Sequence, residues 1–222
     1  YYILILQSNK INIDLATISK FSSISLPKIN TLERNNWQIL WSNMIDYYET
    51  QIGENSKKYP LIRESFDYFI GLAENAISYL TYTKKETPKT IYDNKVLSHN
   101  NLYHSLEDPL NIIIDHKSRD LAEYIKISFF NNNKNIFQEL DNYFYYQKYS
   151  DYGIRVLFSR ILYPSFYFKI YNDIIQGIIK EKELKNVRVN IDKYEVYIYK
   201  IYIYLKKYSN LPPVEWLKKT KN

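Results

Sequence analysis

Apolar residues recur along most of this chain at the three- and four-residue spacing of an amphipathic helix. Four such stripes are separated by short polar joints. They run from Trp37 to Ile52, from Phe66 to Leu80, from Ile154 to Leu162 and from Tyr167 to Ile178. Long helices joined by short connections are typical of helices packed around one core.

Three other segments have a different pattern. Residues 1–6 are aromatic and β-branched, and residues 112–114 form an isoleucine run too short for a helix, so both predict strands. Tyr194 to Tyr208 has tyrosines at strand-like spacing, but a helical face covers its whole length. Because strands of about fifteen residues are rare, this segment predicts a helix. The polar connection from Lys84 to Asn111 is of the kind that usually carries function.

Composition narrows the classes of function. The 222 residues include 4 glycines and no cysteine. A Gly-rich phosphate loop, a disulfide framework, a thiolate zinc site and a cysteine nucleophile are therefore excluded from this chain. The longest apolar run, residues 1–6, falls far short of the roughly 20 residues of a membrane span. The 25 tyrosines accompany many Ile, Asn, Lys and Phe residues, which indicates an AT-rich coding sequence rather than a use of tyrosine.

The net charge of +6 is unevenly distributed. Lys84, Lys85 and Lys89 form one basic cluster, and five lysines lie between residues 206 and 221. Basic patches with interleaved aromatic residues bind single-stranded nucleic acid, so a nucleic-acid-binding domain stays an alternative. Arginine, the better reader of phosphates and bases, occurs only 6 times, which disfavours that alternative.

One constellation of polar residues suggests chemistry. Residues 99–101, His-Asn-Asn, precede the predicted strand at 112–114, and Asp115 follows that strand directly. The next helix would begin near Asp120, where a carboxylate favours the N-terminal dipole. A carboxylate beside a polar loop suits a metal or phosphate site, but the same residues also suit a solvated turn before a capped helix.

The order of these residues resembles the catalytic core of the aminoglycoside phosphotransferase and choline kinase superfamily. There, a loop H-G-D-x-x-x-x-N precedes a strand ending in I-D and a helix beginning D-L-A. Three motifs resemble more closely the kinase-like proteins of the bacterial spore coat. They are F-D-Y-F-I-G-L-A-E-N-A-I at 66–77, D-H-K-S-R-D-L-A-E-Y at 115–124 and L-P-P-V-E-W-L at 211–217.

The resemblance implies a mainly α fold with a small β element, the C-terminal lobe of a protein-kinase-like (aminoglycoside phosphotransferase-like) α+β fold. Residues 1–222 would form this single lobe, and residues 1–6 would be the hinge strand to an N-terminal lobe absent from this chain. Since the N-terminal lobe carries the loop that covers the nucleotide, its absence would explain the scarcity of glycine. A stand-alone helical domain is the alternative.

Carried over by position, the resemblance implies a damaged reaction centre. Asn101 falls at the position of the catalytic aspartate, and an amide cannot accept the proton of the substrate hydroxyl. Leu106 falls at the position of the metal-binding asparagine and offers no ligand. Asp115 keeps the carboxylate that would bind the nucleotide cofactor through Mg²⁺.

The remaining matched positions imply structural roles. His99 would brace the catalytic loop, Asp120 would fasten the backbone N–H groups of that loop, and Arg119 would support it. His104 and Asp108 lie in the same loop and are candidates to replace the lost base, since a histidine titrates in a useful range.

The leading hypothesis is a degenerate phosphotransferase (pseudokinase) that serves as a scaffold or binding element in spore coat assembly, without a cofactor. Its partners would be other spore coat proteins, and its location would be the mother-cell cytoplasm or the coat. The alternative is an active phosphotransferase that uses ATP and Mg²⁺ on a small-molecule acceptor. Under the leading hypothesis, an aromatic-rich surface would support packing into a coat layer or oxidative cross-linking.

Overall fold

The computed structural model describes residues 13–26, 32–102 and 108–218. These ranges form ten α-helices, two short 3-10 turns and one antiparallel sheet of two strands. The helices are α1 (Leu15–Ser22), α2 (Trp37–Lys58), α3 (Pro60–Glu86), α4 (Ser118–Phe130), α5 (Ile136–Tyr146), α6 (Asp151–Leu162), α7 (Ser165–Ile175), α8 (Leu184–Val189), α9 (Ile191–Leu205) and α10 (Glu215–Lys218). The strands are β1 (Lys95–His99) and β2 (Ile112–His116). A mainly α fold with a small β element is therefore confirmed, whereas the strand predicted at residues 1–6 lies outside the described residues.

The long helices contain the predicted stripes, and α2 and α3 extend beyond them to Lys58 and Glu86. Pro60 is the first residue of α3, a position where its missing N–H costs nothing. Phe66, Phe69 and Leu80 of the predicted stripe are buried on the inner face of α3. The stripes of α2, α6 and α9 are also confirmed as helices.

Helix α6 lies at the centre of the core. Its residues from Tyr152 to Leu162 are buried with the exception of Arg155, and it packs against α3, α4 and α9. Ser150 caps its N-terminus, because the Ser150 Oγ accepts a hydrogen bond of 2.9 Å from the Gly153 N–H. Side chains from α6 therefore contribute to the core on several sides of the helix.

A buried lysine ties α4 to the corner between α6 and α7. Lys126 is 2% exposed, and its Nζ donates to Glu123 Oε1 at 2.7 Å. The same ammonium donates to the backbone oxygens of Arg160 and Tyr163, each at 3.1 Å. Burial lowers the pKa of Lys126, and Glu123 beside it opposes that change. Four polar groups would lose a partner if this lysine were replaced, since Ser165 Oγ also accepts from it at 2.6 Å.

Two details of the predicted elements need correction. Helix α7 ends at Ile175, so Ile178 lies beyond it and is 64% exposed. The reason is Gly177, whose φ of 74° is a left-handed conformation that ends the helix. The polar connection from Lys84 to Asn111 also contains the strand β1. The sequence pattern does not predict this strand, because Lys95 to His99 lacks the apolar–polar alternation of a half-buried strand.

Most tyrosines of the described ranges pack into the core rather than onto the surface. Eleven are buried, and six are exposed: Tyr47, Tyr82, Tyr92, Tyr145, Tyr146 and Tyr208. Tyr167 stacks on Phe69 with ring centroids 4.0 Å apart, and Tyr48 stacks on Phe168 at 4.6 Å. The hydroxyl of Tyr48 accepts a hydrogen bond of 2.8 Å from Asn172. Tyrosine therefore serves mainly as a large core residue with a satisfied polar end.

None of the helices in the described part of the chain combines the length and the apolar character that crossing a membrane requires.

Candidate functional site

The β1–β2 hairpin places the residues of the polar constellation. In its register Val96 pairs with Asp115, and His99 pairs with Ile112. Val96 and His99 are three residues apart, which is roughly 10 Å along an antiparallel strand. Asp115 therefore lies near one end of the hairpin, and the loop that follows His99 leaves from the other end.

A buried bridge joins His99 to Asp120 at the loop end of the hairpin. His99 Nδ1 lies 2.7 Å from Asp120 Oδ2, and the His99 backbone N–H donates to Asp120 Oδ1 at 2.9 Å. The two side chains are 1% and 4% exposed. Phe21 of α1 stacks on the imidazole with ring centroids 4.2 Å apart. The structure thus holds the start of the loop against the first turn of α4.

An asparagine that sequence reasoning missed closes the loop. The Asn101 N–H donates to Asn111 Oδ1 at 2.8 Å, and Asn111 Nδ2 donates to the Asn101 backbone oxygen at 2.9 Å. The Asn100 N–H also donates to the backbone oxygen of Asn111 at 2.7 Å. Spacing from His99 pointed to Leu106 instead, which lies outside the described residues. The available signal was the position of Asn111 directly before the strand.

Arg119 supports the same loop from α4. Its guanidinium donates to the backbone oxygen of Asn100 at 2.7 Å and to that of His99 at 3.4 Å. It also lies 4.6 Å from the centroid of the Trp37 ring. Of the two candidate replacement bases, His104 is outside the described residues. Asp108 accepts a hydrogen bond of 2.9 Å from the Leu110 N–H, so its carboxylate caps the short turn that precedes β2.

Asp115 is the centre of a buried ion pair. Its side chain is 1% exposed, and its Oδ1 accepts from Arg160 at 2.8 Å and from the Trp37 indole N–H at 2.8 Å. The His116 backbone N–H donates to the same oxygen at 2.6 Å. Arg160 comes from α6, is 4% exposed, and lies 4.6 Å from the Trp37 ring centroid. Burial lowers the pKa of Arg160 and the Asp115 charge opposes that change, so the guanidinium stays charged at neutral pH.

Asp115 and Arg160 line a cavity of about 440 Å³ between the hairpin, α3 and α6. Five cationic side chains and two carboxylates face this cavity, a formal balance of +3. Lys84 and Lys89 from the basic cluster noted in the sequence are among them, whereas Lys85 is not. Burial and the neighbouring charges of Lys89 and Arg160 lower the pKa of Lys84. Positive charge in this cavity therefore exceeds negative charge.

Asn101 lines a different cavity, of about 170 Å³, together with Arg119, Glu123 and Lys169. Asp115 is not part of the lining of that cavity. The structure brings His99, Arg119, Asp120 and the Asn101 loop together. Asp115 lines the other cavity and is linked to this group through Trp37, which donates to Asp115 Oδ1 at 2.8 Å and lies 4.6 Å from the Arg119 guanidinium.

The Oδ1 atom of Asp115 is not available to Mg²⁺. Magnesium requires oxygen ligands in an octahedral arrangement, of which protein carboxylates usually supply only one or two. Here one carboxylate oxygen already accepts three hydrogen bonds, and a guanidinium stands where a cation would have to approach. Within the described ranges, no group of three or more His, Cys, Asp or Glu side chains is arranged to hold a metal ion. Protein donors therefore occupy Oδ1 of Asp115, whereas its buried Oδ2 has no hydrogen-bond partner among the described residues.

A neighbouring cluster around Asp93 completes the wall of the larger cavity. The Asp93 carboxylate accepts from Ser150 Oγ at 2.5 Å and from the Thr90 N–H at 2.6 Å. His116 Nε2 lies 3.6 Å from Asp93 Oδ1, beyond hydrogen-bond distance. Burial raises the pKa of Asp93, but His116, Ser150 and Thr90 more than offset it and lower the value to about 2. Asp93 is thus a charged structural group at neutral pH.

Comparison with known proteins identifies the family to which the chain belongs. The model of the family described as "Spore coat putative kinase YutH" matches residues 6–200, and the chain belongs to that family. The chain is similar to the endospore coat-associated protein YutH of Bacillus subtilis (strain 168), with 27% identity over 210 residues. The match covers 82% of this chain and 61% of the relative, so the chain spans less than two thirds of that protein. No solved structure matches the chain significantly.

Proposed function

We propose that this protein is a catalytically degenerate, kinase-like component of the spore coat that acts as a scaffold or binding element. The motif order from residue 66 to residue 217 supports reading residues 1–222 as a kinase-like C-terminal lobe. The name of the Bacillus subtilis relative supports association with the coat. The other coat proteins are the partners that this role requires.

The observation that carries the proposal is the ion pair between Asp115 and Arg160. A carboxylate that is to hold a metal must keep its oxygens available, and Asp115 Oδ1 instead neutralises a buried guanidinium at 2.8 Å, which leaves only the buried Oδ2 without a partner. Since Asn101 cannot act as a base, neither half of a phosphoryl-transfer centre has the chemistry it needs. The hydrogen bonds between His99 and Asp120 keep the loop in place, so the loop can retain its structure without supporting a reaction.

Turnover of ATP tests this proposal. The full-length protein is incubated with Mg²⁺ and ATP labelled at the γ-phosphate, and release or transfer of label is followed beside the Asn101→Ala variant. We expect neither protein to release or transfer label above the background measured without protein, because an amide at position 101 contributes no proton transfer. Turnover above that background by the wild type would establish the active phosphotransferase instead, whether or not the variant shares it.

Coat association gives the second readout. In sporulating cells, the Asn101→Ala variant should associate with the coat as the wild type does, since a scaffold does not depend on this side chain. An exposed-residue variant such as Lys185→Gln serves as the control for general effects of substitution. Loss of coat association by the Asn101→Ala variant alone would count against a scaffold role.

A further inference from the structure

The 440 Å³ cavity has the size of a small-molecule site but an unusual balance of charge. Ligand sites of roughly 300–1,000 Å³ are typically apolar with a few polar groups. Here five cations face the cavity against two carboxylates. Lys95 pairs with Glu33, and Arg160 pairs with Asp115. The charges of these two cations are therefore compensated.

Lys84 and Lys89 supply most of the positive charge that remains. Once the two pairs are set aside, Arg34, Lys84 and Lys89 face the cavity with one further carboxylate, Asp93, a formal balance of +2. Within the described part of the chain, neither ammonium has a hydrogen-bond or ion-pair partner, although Lys89 lies 5.5 Å from the centroid of the Tyr152 ring. Both lysines are exposed residues, and partial burial together with the charges of Lys89 and Arg160 lowers the pKa of Lys84. An anion between them would relieve this repulsion.

The wall of the cavity also favours a polar occupant. Three of its side chains have a buried atom with no hydrogen-bond partner among the described residues: Arg160 Nε, Asp115 Oδ2 and His116 Nε2. The Ser118 N–H donates to His116 Nδ1 at 3.2 Å, so the imidazole proton is on Nε2 and that atom is a donor. Unsatisfied polar groups in the cavity wall disfavour an apolar ligand, because such a ligand would displace water from them without offering a hydrogen bond.

We propose that this cavity binds a small phosphate monoester without a divalent cation, with Lys84 and Lys89 as its anion-binding residues. A phosphate monoester carries about 1.5 to 2 negative charges at pH 7, which matches the uncompensated charge better than a single carboxylate does. Lysine binds phosphate as a point charge and needs no bidentate geometry. The inference rests on the proposed function, since it uses a cavity that is not engaged in phosphoryl transfer.

Calorimetric titration of the full-length protein tests this site. The probe is glycerol 3-phosphate in the presence of EDTA, with glycerol as the uncharged control. We expect binding of the phosphate ester alone, weakened about tenfold by Lys84→Gln and about tenfold by Lys89→Gln. Lys85→Gln is the matched control, because Lys85 is exposed on the same helix as Lys84 but does not line the cavity, and it should change the affinity less than about twofold.

The other outcomes separate this proposal from the preceding one. If glycerol 3-phosphate does not bind with or without Mg²⁺, or if Lys85→Gln weakens binding as much as Lys84→Gln, the phosphate site is refuted and the pseudokinase role is untouched. Tighter binding of a single-stranded oligonucleotide with the same lysine dependence would refute the small-molecule site in favour of nucleic acid. If binding requires Mg²⁺ and the γ-phosphate of ATP is transferred, both proposals fail.

Discussion

Replacing Arg160 with methionine should destabilise the protein severely, because it leaves the carboxylate of Asp115 buried without its counter-charge. The two side chains are 4% and 1% exposed, and their closest atoms are 2.8 Å apart. Charges about 4 Å apart interact by about 4 kcal/mol at an effective dielectric constant of about 20. Removing one partner of such a pair typically costs about 3–5 kcal/mol, and we expect Arg160→Met to fall in this range.

The double variant Asp115→Asn/Arg160→Met should recover much of that loss. Asparagine retains an acceptor for the Trp37 indole N–H, and neither position then carries an unpaired charge. The single variant Asp115→Asn should cost about as much as Arg160→Met, because the guanidinium is then unpaired. Urea unfolding followed by circular dichroism measures all three, and the coupling free energy should be at least about 2 kcal/mol.

Arg155→Met is the matched control on the same helix. Arg155 pairs with Asp151 at 2.9 Å, but the Asp151 side chain is 42% exposed. Exposed pairs contribute about 0–1 kcal/mol, so this variant should be destabilised far less than Arg160→Met. The reasoning would be refuted if Arg160→Met cost no more than Arg155→Met, or if the two single losses simply added in the double variant.

Three further predictions concern the supports of the site. Gly153→Ala should destabilise the protein by about 1–3 kcal/mol, because a Cβ at this position would lie 2.9 Å from Asp93 Oδ1. The control Gly71→Ala adds a Cβ that meets nothing within 4 Å, so it should stabilise α3 by about 0.5–1 kcal/mol. Urea unfolding measures both variants. By the same assay, Lys126→Met should lower the free energy of unfolding by about 3–5 kcal/mol, because it leaves Glu123 without its buried partner. Lys169→Met removes a more exposed pair with Asp173 and should cost less than about 1 kcal/mol. Asp93→Asn should lower the urea midpoint at pH 7. Because the folded-state pKa of Asp93 is lowered to about 2, the advantage of the wild type should be present above about pH 4 and lost as the pH falls toward 2.

Each of these predictions can fail independently. Equal effects of Gly153→Ala and Gly71→Ala would show that Asp93 yields to the added methyl group. A small effect of Lys126→Met would mean that water can replace its partners. A difference between wild type and Asp93→Asn that does not change between pH 7 and pH 3 would contradict the lowered pKa.

The helices could be predicted from sequence because their evidence is local. The stripes at Trp37 to Ile52 and Phe66 to Leu80 have the helical period, and residues 112–114 are a short buried run. The strand β1 could not be predicted this way, since it contains Lys95 and His99 and owes its place to pairing with β2. Its existence depends on a non-local partner.

The candidate site was only partly predictable for the same reason. His99 and Asp120 are joined by bonds that the motif order suggests, although they are 21 residues apart. Arg160 lies 45 residues beyond Asp115 in a helix with no motif of its own, so its ion pair with that carboxylate could not be foreseen. The motif spacing predicts an asparagine five residues after Asn101, at Leu106. The asparagine that binds Asn101 is Asn111, 10 residues away, because the loop is longer than the motif implies.

The dependence of ATP binding on Mg²⁺ tests the central claim most directly. The full-length protein is titrated with ATP in EDTA and again in excess Mg²⁺, and the ratio of the two Kd values is compared between the wild type and Asp115→Asn/Arg160→Met. If Asp115 is a partner of Arg160 and not a metal ligand, Mg²⁺ will leave ATP binding unchanged or weaken it, since it reduces the charge of the nucleotide. Binding that Mg²⁺ strengthens at least about tenfold in the wild type, but not in the double variant, would contradict the account.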